Sequence, residues 1–145
     1  MIFVVDSNIV FSALLNPKST VAELIFDVQN KFEFYSPELM GTEINRYSEK
    51  IAKYTKLDSR NLKIVRTSVF ACIELISEEL ISKSSWQRAL ELTKDVDEDD
   101  TPFIALSLEL NGRLWTGDKK LIDGISKKRD NLTITTKELE ALRVR

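Results

Sequence analysis

From Lys94 to Leu110 the chain reads KDVDEDDTPFIALSLEL, and five of the six residues from Asp95 to Asp100 are acidic. Two further acids stand where apolar, strand-like runs end. Asp6 follows Ile2-Phe3-Val4-Val5 directly, and Asp118 comes two residues after Arg113-Leu114-Trp115-Thr116. Glu43 lies in ELMGTEINRY. Two carboxylates about 4 Å apart repel by roughly 4 kcal/mol at an effective dielectric near 20. Acids gathered in one place therefore need solvent, protons or a cation. Carboxylate oxygens are hard ligands suited to Mg²⁺ or Mn²⁺, ions that keep several waters and bridge to phosphate oxygens.

Each acid also has an ordinary reading. Asp6 can N-cap a helix in NIVFSALL. Asp118 in TGDKK can be a turn residue. Asp99 or Asp100 can cap the helix FIALSLEL and complement its dipole, and Glu43 can be an exposed helical glutamate. A cap needs one acceptor, however, and not four neighbouring acids. Within the acidic run, Asp95 and Glu98 are assigned to solvent, whereas Asp97 and Asp99 are divided between solvation and a second ion.

What the chain lacks narrows the chemistry further. Among its 145 residues there is no histidine, which removes imidazole acid–base catalysis and histidine metal sites. The one cysteine, Cys72 in VFACIELI, allows no intramolecular disulfide and is expected in the core. The formal net charge of −2 provides no global basic field for nucleic acid, so any such binding must rest on local Lys/Arg patches. Candidates are Lys119 and Lys120 beside Asp118, Lys127-Lys128-Arg129, and Arg46, Lys50 and Lys53 downstream of Glu43. The N-terminus reaches Asp6 without a basic leader, and no apolar run approaches the roughly 20 residues that span a bilayer. These features predict a cytoplasmic protein with no membrane partner.

The elements that must position the acids alternate in type. IFVV is continuously apolar and β-branched, as suits a strand buried on both faces of a parallel sheet. IVFSALL and VAELIFDVQN, the latter capped by Thr20, read as helices. Phe32–Tyr35 is a second strand. Ser36-Pro37-Glu38 is a helix-start signal with Ser36 as N-cap, and the helix is predicted from Pro37 to Lys53. Asp58 or Ser59 caps NLKIVRTSVF, Cys72–Ser77 is a third strand, and Ser84 caps a helix entering the acidic run. FIALSLEL stops at Asn111-Gly112. Arg113–Thr116 is a fourth strand, LIDGISKK a helix, and Leu132–Thr135 a fifth strand before a short terminal helix. The alternation predicts one domain over 1–145, a three-layer α/β/α sandwich with a mostly parallel sheet of about five strands. Ligands of such sheets bind beyond the carboxyl ends of the strands, which suits Asp6 and Asp118. Connectivity alone leaves Asp100 at the opposite edge unless the chain bends back.

The combination of an apolar strand ending in Asp-x-Asn, a helical Glu after the second strand, and DTPFIALSLELNGRLWTGDKKL resembles the PIN domain family. The resemblance covers essentially the whole chain, and the stretch from Asp100 to Leu121 is its most specific part. It implies that Asp6, Glu43, Asp100 and Asp118 occupy four acidic positions brought together at one sheet edge. It further implies a Mg²⁺- or Mn²⁺-dependent endoribonuclease acting on single-stranded RNA, in which one or two ions activate water. The family's toxins add an antitoxin protein and a homodimer as expected partners. In this scheme Asp6, Asp100 and Asp118 are metal ligands, and Glu43 completes the shell or orients water. Asn8 and Thr116 would hydrogen-bond those ligands or a phosphate oxygen, Asp97 and Asp99 would stand behind them toward a second ion or in solvent, and Lys119 and Lys120 would meet phosphate.

Two other readings compete. A catalytically silent PIN module would bind RNA or a protein partner without cleavage. A phosphotransfer domain of the receiver or haloacid-dehalogenase type also places an Asp after its first strand. The latter pattern, however, wants an acid at the position of Asn8, and a receiver wants an acidic pair next to Asp6.

Overall fold

The structure is a computed structural model that describes residues 1–143, so the last two residues of the expected 1–145 unit lie outside the described ones. Five strands form one all-parallel sheet: β1 (Ile2–Val5), β2 (Glu33–Pro37), β3 (Ile73–Ile76), β4 (Arg113–Trp115) and β5 (Thr133–Ile134). Their order is β3-β2-β1-β4-β5. From β1 to β3 the chain walks to one edge, and it then returns to β4 and β5 on the far side of β1.

The outbound half contributes α1 (Ser7–Leu15), α2 (Thr20–Phe26), α3 (Glu38–Arg46), α4 (Ser48–Tyr54) and α5 (Ser59–Ala71), which pack on one another. The return half contributes α6 (Lys83–Thr93), α7 (Thr101–Glu109) and α8 (Lys119–Ser126), which form a second group. Right-handed crossovers place these groups on opposite faces of the sheet. Helix α9 (Thr136–Ala141) closes the described chain against α2.

The core follows from the apolar runs. Phe3, Val4, Val5, Leu114, Trp115 and Ile134 are buried on the central strands. Fully burying each such side chain stabilises by about 1.5–3 kcal/mol before entropy is counted. The Trp115 indole N–H still finds a partner, donating to the Thr136 hydroxyl at 3.0 Å. In α7, Phe103 to Ser107 are all buried and the helix contacts β1, β2, β4 and α6, as expected of a helix that is apolar all round. Asn111, with φ 52°, and Gly112 then turn the chain into β4. At Gly112 an added Cβ would stand 2.8 Å from the Ile2 carbonyl oxygen, so close approach to β1 demands glycine.

Several local expectations shift. Ser19, not Thr20, caps α2, and Ser82, not Ser84, caps α6. Ser36 does not cap α3, because β2 carries it inward, where its hydroxyl donates to the Val5 carbonyl at 2.7 Å. The single helix predicted from Pro37 to Lys53 is broken at Tyr47 into α3 and α4. Cys72 is exposed rather than in the core, because the apolar run VFACIELI straddles the end of α5 and the start of an edge strand. No single described helix is long and apolar enough to cross a membrane.

Candidate functional site

Strands β1 and β4 are neighbours, yet the chain leaves them toward opposite edges, and a crevice opens beyond their carboxyl ends. Asp6 follows β1 there and is 7% exposed. One of its carboxylate oxygens accepts the Ser7 N–H at 2.8 Å and the other accepts the Thr116 hydroxyl at 2.6 Å. The Thr116 hydroxyl oxygen also accepts from the Asp118 N–H at 3.1 Å and the Asn8 side-chain amide at 3.4 Å. Asn8 closes the ring by accepting the Gly117 N–H at 3.5 Å. Burial pushes the Asp6 carboxyl above its ordinary pKa. The bonds from Thr116 and Ser7 oppose that rise, and the nearby Asp118 adds to it.

Asp118 N-caps α8, accepting the Leu121 N–H at 3.2 Å. The ordinary capping reading therefore holds for Asp6, and Asp118, whose ordinary reading is a turn residue, is a helix cap as well. Capping does not exhaust them, since a carboxylate offers about four lone-pair sites.

Asp100 behaves differently. It makes no side-chain cap on α7. That helix start is set by its neighbours. Asp97 accepts the Asp99 N–H at 3.0 Å, the Thr101 hydroxyl donates to the Glu98 carbonyl at 2.7 Å, and Pro102 occupies the first turn. Asp100 Oδ2 is buried without a hydrogen-bond partner among the described residues, a condition that costs about 1–3 kcal/mol for a polar group and more for a charged one. Burial first, then repulsion from Asp6, Asp97, Asp118 and Glu43, pushes the Asp100 carboxyl up to about 7. The geometric doubt about Asp100 disappears because α7 runs antiparallel to the strands it connects. Its first residue therefore starts at their carboxyl edge.

Glu43 projects from α3 and is half-buried. Burial raises its pKa, as do Asp6 and Asp99, while Ser7 and Arg46 draw it down. The Ser7 hydroxyl is buried and makes no hydrogen bond of ordinary geometry among the described residues, so its contact with Glu43 is loose.

These four acids, with Ser7 and Asn8, line one cleft of about 340 Å³. Ile44, Phe11, Tyr47 and Lys50 form the rest of its wall. Asp97 and Asp99 are exposed and outside that lining, and Asp99 lines a neighbouring cleft with Glu43 and Arg46. Lys119 and Lys120 are exposed in the first turn of α8 and do not line the cleft either; its lysine is Lys50. Lys50 was among the candidate basic residues, whereas Phe11 and Tyr47 were missed. Sequence spacing held a signal for both, since Tyr47 stands four positions after Glu43 and Phe11 four after Ser7, same-face intervals on a helix.

Among the described residues no three acids stand close enough to form a closed metal cage. Mg²⁺ does not require one, because it usually keeps several waters and takes one or two carboxylates. Hard oxygen donors, mutual repulsion and the orphaned Asp100 oxygen together fit a hydrated Mg²⁺ or Mn²⁺. One apolar contact positions the acidic side of the cleft. Val96, the only apolar residue between Asp95 and Asp100, packs on α8 at Gly124, where an added Cβ would lie 2.6 Å from a Val96 methyl.

A family profile described as PIN domain matches residues 4–142. The chain belongs to the PIN domain family. Two solved structures are similar to it. One is VapBC2 from Rickettsia felis bound to a DNA fragment from its promoter, with 15% identity and a TM-score of 0.65, covering 93% of this chain and 98% of that one. The other is VapBC-1 from nontypeable Haemophilus influenzae, with 15% identity and a TM-score of 0.64, covering 94% and 99%. At that identity the likeness speaks for a common PIN fold. No curated protein matches the chain in sequence. PIN domains are typically nucleases, and membership removes the phosphotransfer reading.

Proposed function

We propose that this PIN domain is a Mg²⁺- or Mn²⁺-dependent endoribonuclease that hydrolyses phosphodiesters of single-stranded RNA in the cytoplasm. One observation carries the reading. Acids from four separate elements line one cleft, and the innermost oxygen of Asp100 has no partner there. Asp6, Asp100, Asp118 and Glu43 would hold the cation. When bound, it lowers the pKa of water and neutralises charge on a transferring phosphoryl group.

The chain's own residues do the positioning. Thr116 and the Ser7 amide fix both oxygens of Asp6, and Asn8 ties the β1 and β4 ends together through Thr116 and Gly117. Glu43, half-buried on α3 and near Asp6, would complete the shell or orient the attacking water. Asp97 sets the turn before Asp100 and contributes negative charge to the site rather than lining the cleft.

The two VapBC neighbours support the further reading that this chain is the toxin of a toxin–antitoxin pair, with an antitoxin as partner; a second copy of itself is a further partner under this proposal, resting on no neighbour. The decisive experiment is cleavage of single-stranded RNA with Mn²⁺. Asp6→Asn and Asp100→Asn are expected to abolish cleavage while leaving the fold intact. Activity unchanged in both variants would refute the proposal.

The competing reading, a silent module that binds RNA or protein, is separated by the same assay. RNA binding without cleavage of several substrates in Mn²⁺ would select it.

A further inference from the structure

The cleft has a wall that the acids do not explain. Phe11 of α1, Tyr47 at the joint between α3 and α4, and Lys50 of α4 line it together with the carboxylates. The Phe11 and Tyr47 rings meet edge to face, with centroids 6.4 Å apart and planes at 87°. Lys50 Nζ stands 5.8 Å from the Phe11 centroid. Tyr47 is 45% exposed, so a large ring is left in water at the mouth of a charged site. A side chain kept for the core would be placed otherwise.

We propose that Phe11, Tyr47 and Lys50 form a nucleotide subsite that receives an unpaired base of single-stranded RNA whose phosphate lies over the acids. This rests on the nuclease reading above and adds what selects the strand. Every base has a π-face, so stacking on aromatic rings is tolerant of sequence. A base inside a duplex is already stacked on its neighbours and cannot offer that face, whereas an unpaired one can be splayed onto a ring. The cleft volume, about 340 Å³, falls in the range of small-ligand sites.

Lys50 supplies the second element. Its ammonium over the Phe11 ring is a point charge able to move to a phosphate. In a chain of net charge −2, a cation beside four carboxylates offsets the repulsion a phosphodiester would meet. A protein segment would seek a broader apolar core than Phe11, Ile44 and Tyr47 present. A nucleotide needs one ring and one cation.

The test pairs cleavage with binding. Cleavage in Mn²⁺ is measured on a single-stranded RNA oligonucleotide and on the same strand annealed to its complement. Binding is read by quenching of 2-aminopurine in the single strand, with Ca²⁺ replacing Mn²⁺ to slow turnover. The chains compared are wild type, Tyr47→Leu, Tyr47→Phe, Phe11→Leu and Lys50→Gln, each checked by thermal melting. Tyr47→Leu and Phe11→Leu are expected to raise KM and Kd for the single strand about 5- to 100-fold, with kcat little changed and the preference over duplex reduced. Tyr47→Phe should retain binding. Lys50→Gln should weaken it and reduce the salt slope by about one.

Unchanged KM and strand preference in folded Tyr47→Leu and Phe11→Leu would overturn the subsite. Quenching by a wild type that never cleaves would leave the subsite standing and remove the nuclease reading. Neither cleavage nor quenching overturns both. A co-purifying protein released by Tyr47→Leu, with RNA affinity unmoved, overturns the subsite in favour of a protein interface.

Discussion

Two clusters of acids in this molecule are built on opposite principles. Near the C-terminus, Arg143 reaches across to α2: its Nε and one terminal nitrogen approach Asp27 at 3.0 and 2.8 Å, and its other terminal nitrogen meets Glu23 at 2.9 Å. The Gln29 backbone amide, and after it Arg143 and Asn30, hold the Asp27 carboxyl below the usual range. At the sheet edge, Asp6, Glu43 and Asp100 are all raised instead, by burial first and also by neighbouring carboxylates. The first cluster is complete within the chain. The second leaves an Asp100 oxygen without a partner among the described residues. Sequence composition cannot separate them, because both are Asp and Glu among Lys and Arg; only the neighbours that folding delivers can.

This contrast can be broken at several points. The largest expected effect is on catalysis. Asp100→Asn or Asp6→Asn should lower Mn²⁺-dependent RNA cleavage by at least about 10²–10³-fold, since a metal supplies several kcal/mol of charge stabilisation; rates under single-turnover conditions check this.

Next comes cation binding. Mn²⁺ at about 100 times its Kd should stabilise the fold by roughly 2.7 kcal/mol, read as a rise in Tm that EDTA reverses. Asp100→Asn should lose most of that rise. Arg143→Ala should keep it all, since its acids lie outside the cleft.

A third effect concerns proton linkage in EDTA. Asp100 holds its proton more tightly folded than unfolded, so metal-free stability should fall as pH rises from about 4 through 7. Discounted for partial exposure, the loss is on the order of 1–2 kcal/mol. Asp100→Asn should therefore melt higher than wild type at pH 8 and about equally at pH 4. A mutant that melts lower at pH 8 would show that the charge is not a burden.

The smallest effect belongs to the satisfied cluster. Arg143→Ala should lower Tm slightly at neutral pH. Because the folded pKa of Asp27 is depressed, the contribution of its pairing is present above about 4 and is lost as pH falls through the lowered value. The difference between Arg143→Ala and wild type should accordingly shrink in acid, with the opposite pH sense to Asp100.

Much of this site was legible because it hangs on strand ends. IFVV and RLW must be buried strands, and in a parallel sheet the residues just beyond them, Asp6 and Asp118, necessarily share one edge. Asp100 was legible from the apolar helix it opens, although connectivity alone did not set its edge, which follows from α7 running back against the strands. What escaped was tertiary. Whether Ser36 caps a helix or bonds to Val5 depends on a strand 31 residues earlier. The break at Tyr47 carries no Gly or Pro to mark it. Lys119 and Lys120 drew notice by adjacency to Asp118 in sequence, yet α8 leaves them exposed outside the lining while Lys50 faces the acids from another element.

The Val96–Gly124 contact has a mechanical meaning. It seats the acidic run on the helix that Asp118 caps, so it acts as a spacer between the Asp100 and Asp118 sides of the cleft. Gly124 has no positive φ, so what the position requires is room rather than an unusual backbone. A methyl added there could not be absorbed without moving the run or the helix. An alanine at that one position would press on Val96, four residues before Asp100, without altering any charged group.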